Sequence, residues 1–198
     1  MSLDTYANLK TEIAAWTHRD DLTNYLDTFI DLTETELNNK LRMSEMENST
    51  SITITSGDFT LPTGFLEMRE VHLSGSPDKT MEYLTPFQFT LKDNNESGSP
   101  KYYTIEGDAG KTYPRDSSTL EMVFYKSITA LDSTNTSNFV LTRFPMIYLH
   151  GCLKHAYVYA RDMEAAQIHG IEFDRLVKDA NKMSRDRKTG GMLRVVAA

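Results

Sequence analysis

The apolar residues at the start of the chain recur at steps of three and four. Tyr6, Leu9, Ile13 and Trp16 therefore share one face of a helix, which we predict to begin at Thr5 and end at Trp16. Such a face must be buried against another element to be stable. The pattern thus predicts that the first helix packs onto a helical body.

A second run of helical spacing follows at once. It begins at Asp20, ends at Met46 and carries eight apolar positions: Leu22, Tyr25, Leu26, Phe29, Ile30, Leu32, Leu37 and Leu41. A continuous helix of this length would be a rod of about 40 Å. A rod that long is expected to reach a neighbouring molecule.

The middle of the chain alternates apolar and polar residues, which indicates strands. Ile52 and Ile54, then Phe59 and Leu61, alternate with threonines on either side of Ser56-Gly57-Asp58, so we predict a strand pair closed by a hairpin turn. Four to six short strands are expected to form one small antiparallel sheet or sandwich. The remaining strands are predicted in three segments: 66–73, 102–105 and 120–125.

Helical signals then return. Thr85-Pro86 predicts a short helix, since threonine caps helices and proline suits their first position. Periodic apolar residues predict long helices from Arg143 to Tyr159 and from Asp162 to Arg187. The residues of the last helix that we expect in the core are Ala166, Ile168, Ile171, Phe173, Leu176, Val177 and Met183. Gly151 and Gly170 interrupt these two helices, and each predicts close packing against another backbone.

The order of elements predicts an α+β fold. A helical body is built from both ends of the chain, a small antiparallel β module is inserted between them, and an extended arm follows. With 198 residues and 39% hydrophobic content, the chain can bury the core of one sizeable domain. The expected segments are 1–47 (helical), 48–141 (β-rich), 142–188 (helical) and 189–198 (the arm).

The single cysteine, Cys152, lies in an apolar helical stretch and is expected to be a small core residue. A lone cysteine forms no intramolecular disulfide, which fits a reducing compartment. The first residues lack a secretory signal, and no window approaches the roughly 20 apolar residues that a membrane span requires. We therefore expect no contact with a membrane.

Candidate chemistry is sparse. His150 and His155 are five residues apart, unlike the spacing of a helical zinc site, and the sequence pairs neither with a ligand. His18, His72 and His169 have no evident partner either. We expect no metal, no cofactor and no catalytic residue, although two carboxylates suited to glycoside hydrolysis could be hidden among the 28 acidic residues.

Five segments, taken in order, resemble the head-completion adaptor proteins, or head-to-tail connectors, of tailed bacteriophages, especially the short-tailed ones. The first helix resembles the opening helix of that family, and the turn Leu-Pro-Thr-Gly resembles the entry to its first long strand. The resemblance spans nearly the whole chain. Its segments are Tyr6–Trp16, Leu61–Leu73, Pro100–Gly107, Tyr125–Asn138 and Pro145–Leu153.

The resemblance implies a structural virion protein and not an enzyme. Such a protein forms a ring, typically of twelve copies, beneath the portal protein at the head-tail interface. The ring extends the DNA channel, lets double-stranded DNA pass without specific binding, and contacts a tail nozzle or other tail proteins. Before assembly, we expect monomers in the host cytoplasm. Two alternatives stay open: a tail-associated cell-wall hydrolase, and a head-tail stopper or tail terminator.

The formal charge of −7 is unevenly distributed. From Arg175 onwards the chain carries a net +5, so the remainder carries −12. The acidic body suits a channel wall to which DNA does not adhere, or it serves solubility alone. The basic, apolar end is a candidate portal-docking arm, unless its cations only complement the helix dipole. The candidate residues are Arg185, Arg187, Lys188, Met192, Leu193, Arg194, Val195 and Val196.

Overall fold

A computed structural model of the protein describes residues 3–92 and 96–189, with the backbone alone for 77–79 and Thr189. The described helices are α1 (Tyr6–Thr17), α2 (Leu26–Lys40), α3 (Pro86–Lys92), α4 (Phe139–Arg143), α5 (Pro145–Tyr159) and α6 (Met163–Thr189). The described strands are β1 (Glu47–Thr53), β2 (Asp58–Thr60), β3 (Phe65–Leu73), β4 (Ser76–Thr80), β5 (Glu82–Tyr83), β6 (Tyr102–Glu106), β7 (Ala109–Tyr113) and β8 (Thr119–Lys126).

The predicted α+β class is confirmed. The chain forms two compact units. The helical unit contains the residues up to Glu45 and those from Ile128 onwards, and the β unit contains Met46–Ser127. The segment just after Ser127 therefore belongs with the helices, whereas the sequence pattern placed it in the β-rich part. None of the helices in 3–92 and 96–189 is both long enough and apolar enough to cross a membrane.

Helix α5 is the centre of the helical unit because it packs against α1, α2, α4 and α6. At Gly151 the neighbours come so close that an added Cβ would lie 2.4 Å from Cγ2 of Thr33 and 3.0 Å from Cε2 of Phe173. The predicted close packing at Gly151 is thus confirmed, but the neighbours are side chains of α2 and α6 and not the predicted backbone. At Gly170 the nearest atom is the flexible Lys154 Cδ, 3.4 Å away, so that prediction is wrong.

The predicted rod from Asp20 to Met46 is also wrong. Residues Asp20–Tyr25 form a 3-10 helix, and α2 ends at Lys40 because Leu41 has an extended backbone (φ −89°, ψ 132°). Helix α2 is therefore 15 residues, or about 22 Å, long. The long rod of this protein is α6, whose 27 residues span about 40 Å.

Side chains of α6 explain why α2 stops. The amide of Arg42 donates to Oδ1 of Asn181 at 2.7 Å, and the amide of Ser44 donates to Oγ of Ser184 at 2.9 Å. Between these two bonds, the side chain of Met43 is fully buried. Tertiary hydrogen bonds thus replace the helical bonds that the local sequence would otherwise make.

A buried polar network holds the segment that returns from the β unit. The carboxylate of Glu34 on α2 accepts hydrogen bonds from the amide of Leu131 and from the hydroxyl of Tyr148 on α5, both at 2.9 Å. Asn138 donates to the same hydroxyl at 2.7 Å and caps α4. Burial raises the pKa of Glu34 above its usual range. The network leaves each buried polar group with a partner.

The β unit contains two four-stranded sheets, with strand orders β1-β8-β3-β4 and β2-β7-β6-β5. Neighbouring strands are antiparallel, except that β5 and β6 are parallel. The alternating apolar residues of both sheets contribute to one core cluster, which makes the unit a sandwich. The cluster consists of Ile54, Phe59, Val71, Leu73, Met81, Tyr103, Leu120, Met122 and Phe124.

The predicted turn is confirmed, but the predicted strand pair is wrong. Ser56 and Gly57 have positive φ values of 53° and 91°, as a tight two-residue turn requires. Beyond it the chain enters different sheets, because β1 pairs with β8 and β2 pairs with β7. Hydrogen bonds of Gly57 with Asp116 and Thr112 take the place of a continuing hairpin ladder.

The short helix predicted at Thr85-Pro86 is confirmed as α3. The amide of Gln88 donates to Oγ1 of Thr85 at 3.4 Å, and the amide of Thr85 donates to Oε1 of Gln88 at 3.1 Å. These reciprocal bonds form a capping box. They stabilise the first turn of a helix of only seven residues.

Replacing Gly151 by alanine should destabilise the protein. The clash with Thr33 and Phe173 is overpacking, which costs about 1–3 kcal/mol, whereas alanine gains at most about 1 kcal/mol of helix propensity. Urea unfolding should show a net loss of about 1–2 kcal/mol. Gly170→Ala is the matched control and should be neutral or stabilising, since only Lys154 lies nearby. Equal stabilities of the two variants would contradict this account of α5.

Candidate interaction surfaces

The predicted portal-binding residues divide into two groups. Arg185, Arg187 and Lys188 lie exposed on the last turns of α6. The other predicted residues lie outside the described part of the chain: Met192, Leu193, Arg194, Val195 and Val196. The structure therefore places only the helical half of the predicted arm.

Arg187 is tied to the helical unit by an ion pair. Nη1 of Arg187 lies 2.9 Å from Oε1 of Glu45, and Arg143 at the end of α4 contacts the same carboxylate. Two arginines thus share one acidic side chain that follows α2. This pairing fixes the direction of the last turns of α6, and the sequence does not reveal it because Glu45 lies 142 positions away.

The outer face of α6 carries a second surface, which the sequence analysis missed. We predicted Ile168, Ile171 and Met183 to be core residues, but they are 61%, 63% and 49% exposed. Ala166, Phe173 and Val177 are buried as predicted, and Ala180 and Ser184 complete the buried face of α6. The helix therefore has two apolar stripes, and one of them faces outwards.

The outward stripe continues as a basic stripe towards the end of α6. After Ile168 and Ile171, steps of three and four lead to Arg175, Lys178 and Lys182. Arg175 is held by Glu172 and Asp179 on the same helix, and its hydrogen bond lowers the pKa of Glu172. Lys178 and Lys182 are exposed and make no ion pair with any described residue. This outer face is apolar in its first half and cationic in its second.

The 3-10 helix and α2 present the opposite charge. Tyr25 and Leu32 are 41% and 44% exposed and form an apolar strip. Asp20 and Asp31 beside them are exposed and have no cationic partner in the part of the chain that the structure describes. The acidic face of this unit is therefore also partly apolar.

Histidines that lacked an evident partner in the sequence are partnered in the structure. Nδ1 of His150 on α5 lies 2.9 Å from Nδ1 of His169 on α6. The rings of Trp16 and Tyr157 enclose this pair, with Tyr157 stacked on His169 at a centroid distance of 5.3 Å. The histidine pair therefore joins α1, α5 and α6, and its two nitrogens can share one proton.

The remaining buried histidines have acidic neighbours. Nε2 of His155 lies 3.1 Å from Glu36, and Nε2 of His72 lies 3.3 Å from Glu121. Within residues 3–92 and 96–189, no three His, Cys, Asp or Glu side chains are grouped so that they could hold a metal ion. The histidines thus serve contacts between elements.

The two groups that could suggest catalysis are enclosed. Glycoside hydrolysis needs a carboxyl group of raised pKa facing a cleft. Glu34 has a raised pKa, but it is only 5% exposed and its oxygen is occupied by Leu131 and Tyr148. Cys152 is fully buried, as predicted, and burial raises the pKa of its thiol to about 12. Neither group can meet a polymeric substrate or act as a nucleophile near neutral pH.

The β unit carries an exposed apolar patch of its own. Phe87 and Leu91, one turn apart on α3, are 74% and 72% exposed, and Tyr83 just before them is 49% exposed. Phe89 on the opposite side of α3 is buried and anchors the helix. The patch is thus held on a firmly packed base, although sequence periodicity over seven residues is too short to reveal it.

Protonation of the histidine pair should be visible by fluorescence. Burial lowers the pKa of both His150 and His169 below the usual value of about 6.5. The stability contributed by the neutral pair is therefore present above about pH 6.5 and lost as the pH falls through the lower folded pKa. Trp16 is the only tryptophan, and its ring centroid lies 6.2 Å from both imidazoles.

Quenching of Trp16 by imidazolium should give a titration midpoint below pH 6.5 in the folded protein. His169→Gln should alter this titration, whereas His72→Gln in the β unit should leave it unchanged. A midpoint at or above pH 6.5, or a titration that His169→Gln leaves untouched, would contradict the described pair.

Comparison with known protein families identifies the family of this chain. A family model described as SU10 adaptor protein matches residues 4–196, which include both units. No curated protein shows a significant match. The adaptor resemblance seen in the sequence is confirmed at this level, whereas the restriction to short-tailed phages stays a prediction. The chain therefore belongs to the SU10 adaptor protein family, a family of structural bacteriophage proteins and not of enzymes.

Proposed function

We propose that this protein forms the adaptor ring between the head and the tail of a bacteriophage. Copies of the chain, twelve in the expected ring, bind beneath the portal protein and prolong the DNA channel towards the tail. The observation that carries this proposal is the family match over residues 4–196, which includes both units. The ring is a virion component at the portal vertex, assembled in the host cytoplasm from monomers.

The division into two units supports a ring. A ring closes through head-to-tail contacts, so each copy needs different surfaces on its two sides and at its two ends. The helical unit carries a basic end, an apolar-basic face and an acidic face, while the β unit carries the patch on α3. These surfaces are distinct in chemistry, as a part with several neighbours requires.

Portal binding is assigned to the end of α6 and the residues that follow it. Basic side chains would meet acidic groups of the portal, and the apolar residues would fill a groove on it. Arg187 also forms an ion pair with Glu45. It therefore links the end of α6 to the helical unit and contributes positive charge there. The proposed binding residues are Arg185, Arg187, Lys188, Met192, Leu193, Arg194, Val195 and Val196.

Double-stranded DNA would pass through the ring without being bound. Tight duplex binding needs several Lys or Arg contacts to phosphates. The chain has a net charge of −7, and among its described cations Arg175, Arg187 and Lys40 are paired with carboxylates. A wall of this charge repels DNA mildly and lets it slide.

Tail attachment is assigned to the exposed patch of the β unit. Tyr83 at the end of β5 and Phe87 and Leu91 on the anchored helix α3 offer three large exposed apolar side chains. Aromatic residues of this kind are typical centres of protein interfaces. A tail nozzle or another tail protein would cover them.

Removal of residues 189–198 should abolish docking without unfolding the protein. The truncated chain should keep its unfolding midpoint and lose at least about tenfold in affinity for the portal protein of the same phage. Sedimentation of mixtures with purified portal measures both the complex and the free chain. A full-length variant with the last ten residues in scrambled order is the matched control. It should bind as weakly as the truncated chain, and wild-type affinity in either variant would overturn the docking assignment.

A further inference from the structure

We propose that the outer face of α6 docks onto the acidic face of a second copy of this chain. The docking face of α6 consists of Ile168, Ile171, Lys178 and Lys182. The receiving face consists of Asp20, Tyr25, Asp31 and Leu32 on the 3-10 helix and α2. The inference rests on the proposed ring, and it names the two surfaces by which neighbouring copies meet.

The apolar half of each face needs a cover. Ile168 and Ile171 are both more than 60% exposed on adjacent turns, although the same helix has a fully buried face elsewhere. Tyr25 and Leu32 are each more than 40% exposed. Contiguous exposed apolar side chains with charged neighbours are characteristic of protein-protein contacts. Ile168 and Ile171 lie about one turn apart and Tyr25 and Leu32 about two turns apart, so the strip on α6 can lie within the length of the receiving strip.

The charges decide the partner and its direction. Lys178 and Lys182 follow Ile171 by 7 and 11 residues, while Asp20 precedes Leu32 by 12 residues. When the two helices run antiparallel with Leu32 beside Ile171, the lysines approach the acidic start of the receiving face. A parallel arrangement would place Lys178 near Asn39 and Lys40 instead. Opposite charges therefore select the antiparallel arrangement.

A contact between two identical α6 faces is less favourable. Antiparallel packing of α6 on itself would place Lys178 and Lys182 against Ile171 and Ile168 of the partner. The carboxylate beside Ile171, that of Glu172, is already paired with Arg175, so the lysines would lose water without gaining an unpaired acidic neighbour, which is costly. The contact is therefore between different faces, so each copy keeps one free face for the next copy. Such contacts continue until a ring closes.

Cross-linking in assembled particles tests this contact. Leu32→Cys and Ile171→Cys are combined in one chain, and particles that contain the portal are treated with a short bis-maleimide. Cys152 is fully buried and should not react. The double variant should give a ladder of dimers, trimers and larger species. Each single variant should give monomers only, and so should the control pair Ser51→Cys with Ile171→Cys.

Charge reversal adds an independent readout. Lys178→Glu with Lys182→Glu should lower the cross-linking yield of the double-cysteine chain by about tenfold, since like charges would meet. Asp20→Lys in the same chain should restore part of the yield, because Asp20 lies at the end of the receiving face that Lys182 approaches.

Three results would overturn the inference. Dimers from Ile171→Cys alone would show a symmetric contact of α6 with α6. Particles that contain the protein but give no ladder would leave the adaptor function standing and refute these two faces. Particles that lack the protein at the portal vertex would refute the adaptor function and the contact together.

Discussion

The close packing of three helices at Gly151 determines how the helical unit presents its surfaces. Because α5 has no side chain there, Thr33 of α2 and Phe173 of α6 enter the space that a Cβ would fill. Helices α2 and α6 thereby turn one face each towards α5. Their other faces, with Leu32 on one and Ile171 on the other, are left to neighbours.

Groups that resemble catalytic residues are used for this packing. Glu34 and Tyr148 hold the returning segment at Leu131, and the pair His150 and His169 joins three helices. Each of these groups has at least one polar atom bound by another part of the protein. In this protein, the carboxyl, hydroxyl and imidazole groups fix the relative positions of helices, which suits a structural protein.

Local pattern was sufficient for much of the fold. Helical periodicity located α1, α5 and α6, the segment Ser56-Gly57-Asp58 located the turn, and Thr85-Pro86 located α3. These features depend on neighbours in the sequence, which is why they could be predicted. The α+β class followed from their order.

Contacts distant in sequence account for the errors. Helix α2 ends early because Asn181 and Ser184 bind the backbone after it, more than 130 positions away. The two strands around Ser56 separate because β7 and β8 offer better partners. On α6, Ile171 and Phe173 both fit a helical repeat, and periodicity alone cannot tell which stripe faces α5.

Of the predicted binding residues, Arg185, Arg187 and Lys188 lie on an exposed helix end, whereas the pairing of Arg187 with Glu45 needed the structure. The exposed apolar face of α6 could not be predicted either, because periodicity does not show which side of α6 packs against α5. In the sequence, an apolar surface that binds another molecule gives the same pattern as an apolar face that packs into the core.

Electron cryo-microscopy of the portal vertex in assembled particles tests the central claim most directly. The claim is that this protein acts through shape and contact surfaces within a ring. The account predicts a closed ring of this chain on the portal, with residues beyond Thr189 against portal density and the α3 patch towards the tail. A vertex without this chain, or a single copy attached away from the channel, would contradict it.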